Sequence, residues 1–265
     1  SSGGPVSCGT TTVPVNLIFG GKKMKPGSWP WLTAIFVNDK GRFTYICAGN
    51  LISPQGIITA AHCVTIPGGI RNPQDIRIGL GIYNIDNWND PNAQIAGVSN
   101  VIPHPEYSRQ KIYDADIAVI ILDRPYSYTN FVRPVCMWRD EFGTATDREG
   151  QVAGWGLAKP NGGSEKEPSI VEARIVSDQK CLRSNDAFGT ITSERNLCAG
   201  YRDDTGPCQG DSGSGLIIDI GGKWFLRATV SGAISHVQKV CDLKQYVIYT
   251  DVAQFSNWIS QYIRF

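Results

Sequence analysis

The chain has 265 residues, 42% hydrophobic and 18% charged, an ordinary composition for a globular domain large enough to bury a substantial core. A formal net charge of +1, with no lysine or arginine block, argues against a nucleic-acid or anionic-membrane partner. No apolar run approaches the ~20 residues that span a bilayer, and "SSGGPVSCGT" lacks a charged n-region and an apolar h-region, so any secretory leader is expected to have been removed.

In chain order, short apolar runs alternate with turn residues: "WLTAIFV", "GIITAAHCV", "IRIGLGIY", "IAVIIL", "GQVAGWG", "SGLIIDI", "WFLRATVSG" and "YVIYTDV". This is the rhythm of an all-β barrel protein. Between them "NIDNWNDPNAQ" and "KPNGGSEKEP" are rich in Asn, Asp, Gly and Pro and read as surface loops. Only the tail predicts a helix. Val252, Phe255, Trp258, Ile259, Tyr262 and Ile263 recur at spacings of three and four, an apolar stripe expected to dock on a barrel.

Cys8, Cys47, Cys63, Cys136, Cys181, Cys198, Cys208 and Cys241 are even in number and widely scattered, with no CxxC pair. Disulfides fit this better than zinc or thioredoxin chemistry, and they point to a secreted, extracellular protein. Eight cysteines alone leave 105 pairings open.

"GPCQGDSGSG", from Gly206 to Gly215, sets an acid beside a serine among glycines. A serine hydroxyl becomes a useful nucleophile only when a base takes its proton and something orients that base. Of the three histidines, His62 ends an apolar strand in "TAAHC", His104 lies between prolines in "IPHPEY", and His236 lies in a polar stretch. Position favours His62. Asp116, in "DADIAVIIL" at the mouth of the strongest apolar run, is the candidate orienting acid, with Asp114 its competitor.

With "IFGG", "PGSWPW", "TAAHC", "DADIA", "GWG", "CQGDSG" and "IYTDV" in order, essentially the whole chain resembles the chymotrypsin-like serine proteases. The His, Asp, Ser chain order separates it from subtilisin-type and α/β-hydrolase enzymes. The resemblance implies two packed six-stranded antiparallel β-barrels with a C-terminal α-helix. It places a tethered leading segment at 1–17 and the protease domain at 18–265. Within that domain the first barrel spans about 18–135, the second about 136–250 and the helix 251–265.

By the same resemblance Ser212 attacks the scissile carbonyl, His62 moves the proton, Asp116 orients His62, and the N–H groups of Gly210 and Ser212 form the oxyanion hole. It implies the bridges Cys47–Cys63, Cys181–Cys198, Cys208–Cys241 and Cys8–Cys136. Cleavage between Leu17 and Ile18 would free an ammonium to pair with Asp211. Ala34 and Tyr45 replace the serine and histidine that hold the equivalent aspartate in chymotrypsinogen, which suggests a precursor able to cleave itself. Ser214 and Gly215 depart from the family's usual residues and are expected to bring a local backbone change.

The implied specificity pocket comprises Gly206, Pro207, Ser231, Gly232, Ala233 and Val247. Trypsin-like relatives carry an aspartate where Gly206 stands. An uncompensated Arg or Lys would lose several kcal/mol there, so Leu or another medium apolar side chain is expected before the cut. Asp204 is an acid that would have to swing in to substitute, and Cys208 fixes the register against it. No cofactor or metal is implied, and the loop "RIGLGIYNIDNWND" lacks the glutamate that binds calcium in several relatives.

"NLIFGG" and "CQGDSGSGL" resemble most closely the proteases that initiate insect immune cascades of the Toll and prophenoloxidase type. That likeness implies recognition modules upstream, a downstream protease zymogen as substrate and a serpin as inhibitor. A digestive chymotrypsin- or elastase-like enzyme is one rival. An inactive homologue serving as a binding scaffold is the other.

Overall fold

Strand pairing explains the arrangement of the short apolar runs. The computed structural model describes residues 6–15, 22–108, 113–156, 166–235 and 241–265. In the first half, seven antiparallel strands follow the order Gln94–Ala96, Ile76–Leu80, Leu32–Asp39, Arg42–Ser53, Gly56–Thr59, Ala118–Leu122, Val98–Pro103. The outermost two are consecutive in sequence, separated only by Gly97, so the sheet curls until a single segment serves both edges.

In the second half, Ser169–Val176, Glu149–Gly154, Gly215–Ile220, Lys223–Ala233, Val247–Asp251 and Asn196–Ala199 pair in turn, and the last pairs back to the first. That ring is a closed barrel of six. Lys22–Lys23 adds outside it along Ser169–Val176, and Cys136–Met137 pairs in parallel with Lys223–Ala233. The expected pair of equal six-stranded barrels is therefore met once by full pairing and once by a curled seven-stranded sheet. The difference arises because the chain turns at Gly97 and divides one long strand into two.

Each half wraps its own core. Trp31, Ile35, Ile57, Ile78 and Ile120 fill the first, and Val152, Ile175, Leu216, Phe225 and Tyr249 the second. The runs that lack polar alternation, such as Leu32–Asp39, are buried from Leu32 to Val37.

The tail is less helical than its stripe predicts. The Asp251 side chain accepts the Ala253 N–H at 3.1 Å and starts a 3-10 turn over Val252–Phe255, and the α-helix proper covers only Ser256–Ile259. A segment this short gains little from its own hydrogen bonds and is held by tertiary packing. Val252, Phe255, Ile259 and Ile263 are buried with the first core, whereas Tyr262 is exposed. Burial at four such positions contributes about 1.5–3 kcal/mol each. The tail thus follows the second barrel in sequence and clamps the first sheet, with Ile263 seated where Gly56 has no side chain.

All four implied bridges are present: Cys8–Cys136, Cys47–Cys63, Cys181–Cys198 and Cys208–Cys241. The leading segment is also held by backbone bonds, Gly9 N–H to Pro134 O at 2.8 Å and Trp224 N–H to Gly9 O at 3.0 Å.

Candidate active site

His62 lies in the short helix Ala61–Val64 just after strand Gly56–Thr59, and Asp116 lies just before strand Ala118–Leu122. These strands are antiparallel neighbours with Thr59 opposite Ala118, so two residues 54 apart in sequence arrive side by side. Asp116 is fully inaccessible. Its carboxylate accepts the His62 backbone N–H at 2.9 Å, meets His62 Nδ1 at 2.7 Å, and accepts the Ser231 hydroxyl at 2.6 Å. A buried carboxylate needs such donors to remain charged. With the carboxylate as acceptor, the proton belongs on Nδ1 and Nε2 is left basic.

Ser212 comes from the other half of the molecule. Its carbonyl accepts the Ala48 N–H at 2.9 Å, Asn50 Nδ2 donates to Gly213 O at 2.8 Å, and the Gly213 N–H reaches Val230 O at 2.8 Å. Gly213 has φ +81°, and a Cβ there would lie 2.1 Å from Thr59 Oγ1, so glycine is required for the two halves to close on each other. Within the first half, the Cys47–Cys63 bridge ties Ala48 to His62, one residue from each. His62 and Ser212 line one cleft of about 470 Å³.

Around Ser212, the N–H groups of Cys208, Asp211, Gly213 and Ser214 all find acceptors. Among the described residues, those of Gly210 and Ser212 are committed to none. Two backbone donors left open beside a serine suit a developing oxyanion. Gly210 has φ +93°.

Asp211 is fully buried and accepts the Gly156 N–H at 2.8 Å and the Cys208 N–H at 3.1 Å. Loss of hydration outweighs these bonds and raises its carboxyl to about 7. No lysine, arginine or histidine among the described residues forms an ion pair with it. The expected partner, Ile18, and its neighbour Leu17 lie outside the described residues, as does His236.

A model of the trypsin family, described as "Trypsin", matches residues 18–259. The chain belongs to the trypsin family. It is 33% identical over 271 residues to serine protease gd of Drosophila melanogaster, covering 89% of this chain and 51% of that protein. It is 29% identical over 266 residues to the proclotting enzyme of Tachypleus tridentatus, covering 98% and 69%. It is 34% identical over 253 residues to the human atrial natriuretic peptide-converting enzyme, covering 93% and 22%. The chain thus spans about half the length of the Drosophila relative and a smaller part of the human one.

Within this trypsin-family domain the competing residues have other tasks. Asp114 does not face His62. It takes Arg195 side-on, Nε at 3.1 Å and Nη2 at 2.8 Å, and accepts the Ser193 hydroxyl at 2.6 Å, bracing one half against the other. His104 packs edge-on against Phe255 and Trp258, and burial lowers its pKa. Cys47, His62 and Cys63 come close enough to suggest a metal site, but the disulfide removes both thiolates from that role.

The pocket differs in detail from its implied form. Pro207, Ser231, Gly232 and Ala233 line the cleft, whereas Gly206 and Val247 are buried and do not line it. Leu243 occupies the space next to Gly206, its Cδ2 3.2 Å from where a Cβ would stand. Asp204 Oδ2 lies 3.9 Å from Lys244 Nζ, and Asp204 does not line the cleft. Tyr113 fills the space over Gly232, with Cε1 2.3 Å from the position a Cβ would take, and its hydroxyl donates to Ala233 O at 3.3 Å.

Ser214 and Gly215 are accommodated without positive φ. The Ser214 hydroxyl donates to Ala153 O, and the missing Cβ of Gly215 makes room for the Asn50 amide. Sequence reasoning missed Tyr113, which lines the cleft, and the packing of Leu243 beside Gly206. The signal available was the glycine at 232 and at 206, each of which leaves a volume that some other side chain must fill.

Proposed function

We propose that this domain is a serine endopeptidase that cuts after Leu or other medium apolar residues, using His62, Asp116 and Ser212. The observation that carries the proposal is the inaccessible Asp116 holding both the ring and the backbone of His62 in the cleft that contains Ser212. The imidazole Nε2 takes the Ser212 proton as Oγ bonds to the substrate carbonyl carbon. The oxyanion accepts from the Gly210 and Ser212 N–H groups, and His62 then protonates the leaving amine as the C–N bond breaks. Water, deprotonated by the same imidazole, releases the acyl group.

Gly206 supplies no carboxylate, and the side chain packed beside it is the hydrocarbon of Leu243. Arg or Lys before the cut would bury a charge unpaired, at a cost of several kcal/mol. Leu17 fits the same preference, so self-cleavage before Ile18, with the new ammonium pairing with Asp211, belongs to this proposal. The names of the relatives, one of clotting and one of peptide conversion, favour a substrate that is a specific protein precursor such as a downstream zymogen. Secretion fits the four disulfides.

A fluorophosphonate probe is expected to label Ser212 in the chain beginning Ile-Phe-Gly-Gly and to leave Ser212→Ala unlabelled. No labelling of the wild type would favour an inactive scaffold. Peptides varied at the residue before the cut test the preference, and faster cleavage after Arg than after Leu would overturn it. Processing of pure precursor and of its Ser212→Ala variant at equal rates would exclude self-cleavage. Indiscriminate degradation of many proteins would favour the digestive reading.

A further inference from the structure

Gly210 has a conformational choice that the reaction cannot leave open. The Asp211 N–H donates to Cys208 O at 3.0 Å and closes a turn with Gly210 at its third position. The φ of +93° there belongs to the type II form, and the type I form would reverse the central peptide and turn the Gly210 N–H away. Glycine visits both signs of φ at little cost; the central peptide keeps its observed sense where Gln209 O packs against Gly156, 1.9 Å from where a Cβ there would stand, and the place of Gly210 itself needs a contact from outside the turn.

Tyr45 makes that contact. It stands on strand Arg42–Ser53 beside a register shift between Ile35 and Phe36, so that Cys47 faces Ile35 while Tyr45 faces Phe36. A bulge of this kind re-aims the neighbouring side chain. Its ring packs edge-on against Phe36 at 6.0 Å and Trp155 at 5.5 Å between centroids. The ring carbon Cε1 lies 3.3 Å from where a Cβ on Gly210 would be, and the hydroxyl donates to the Gly210 carbonyl. Burial, and secondarily the Asp211 carboxyl, hold the phenol above the usual tyrosine range, so it remains a donor.

We infer that Tyr45 is a positioning residue for the oxyanion hole: it anchors the Gly210 carbonyl and packs its ring beside the residue, and so fixes where the Gly210 N–H stands relative to the reacting oxygen. The inference rests on the proposed protease activity and adds a residue that touches neither substrate nor the reacting atoms.

Tyr45→Phe keeps the ring and deletes only the donor, which makes it the test. In the processed enzyme, with a peptide ester or amide carrying Leu before the cut, kcat is expected to fall about tenfold with KM unchanged. Affinity for a peptide aldehyde, whose hemiacetal oxygen uses the same two N–H groups, should fall by the same factor. The ratio of rates after Leu and after Phe, and the unfolding midpoint, should stay put. A kcat and aldehyde affinity within twofold of wild type would overturn the inference. So would a parallel loss of kcat, KM and unfolding midpoint, which marks a merely structural side chain. Failure of the wild type itself to react with a fluorophosphonate would instead sink the protease proposal, and this inference with it.

Discussion

The junction between the two halves and the specificity pocket are built in different ways. At the junction, nearly every polar group is committed: Ser212 O to Ala48, Gly213 O to Asn50, Gly213 N–H to Val230, Asp116 to His62 and Ser231. In the pocket, space decides, with Leu243 beside Gly206 and Tyr113 over Gly232. Directional bonds hold reacting groups to a fraction of an ångström, while volume filling sets which side chains fit. The first arrangement tolerates almost no change, and the second is easily re-cut.

The sharpest way to break the contrast is at the two neighbouring aspartates. Asp116→Asn should lower kcat about 10⁴-fold because the amide imposes the wrong tautomer on His62. Asp114→Asn loses only a brace to Arg195 and should keep kcat within a few-fold, as steady-state assays on one peptide would show.

Asp211 provides the next largest effect, on stability. Burial raises its carboxyl from 3.8 to about 7, so between these values the folded intact chain holds a proton that the unfolded chain has lost. The contribution of Asp211 to stability should be fullest below about pH 4, fall by about 4 kcal/mol as pH rises to about 7, and level off above. Urea unfolding midpoints across this range test the trend, and Asp211→Asn should flatten it.

A third test applies one change in both regions. Gly213→Ala drives a Cβ into Thr59 Oγ1 and the Ala48 carbonyl at a positive φ and should cost more than about 100-fold in kcat/KM through misplacement of Ser212. Gly232→Ala meets only the Tyr113 ring, a side chain that can turn aside, and should move KM less than tenfold. Leu243→Ala, the mildest for the chemistry, should raise cleavage after Phe relative to Leu about tenfold. It should cost about 2–4 kcal/mol in stability, read from the unfolding midpoint.

How far each region was legible in the sequence follows the same division. The strand runs and the candidates His62 and Asp116 were readable because each sits in a local string, whereas the four pairings came only from the resemblance to the family, since eight cysteines alone leave 105 open. The sequence also placed an apolar stripe on the tail, and Val252, Phe255, Ile259 and Ile263 are buried there, but it overstated the helix because periodicity does not distinguish a 3-10 turn from an α-turn. Leu243, Tyr113 and the Tyr45 contact with Gly210 were not readable. Each joins residues brought together only by the complete fold: 120 positions separate Tyr113 from Ala233 and 165 separate Tyr45 from Gly210. Asp114 and Asp116 could be ranked by position, but the role of Asp114 became visible only with Arg195 beside it.

The Cys8–Cys136 bond has a consequence for any cut in the stretch between Cys8 and Lys22. Such a cut divides the polypeptide without parting its pieces, so whatever is joined ahead of Cys8 goes on moving as one body with the enzyme. Only a reductant would then release the piece that carries Cys8.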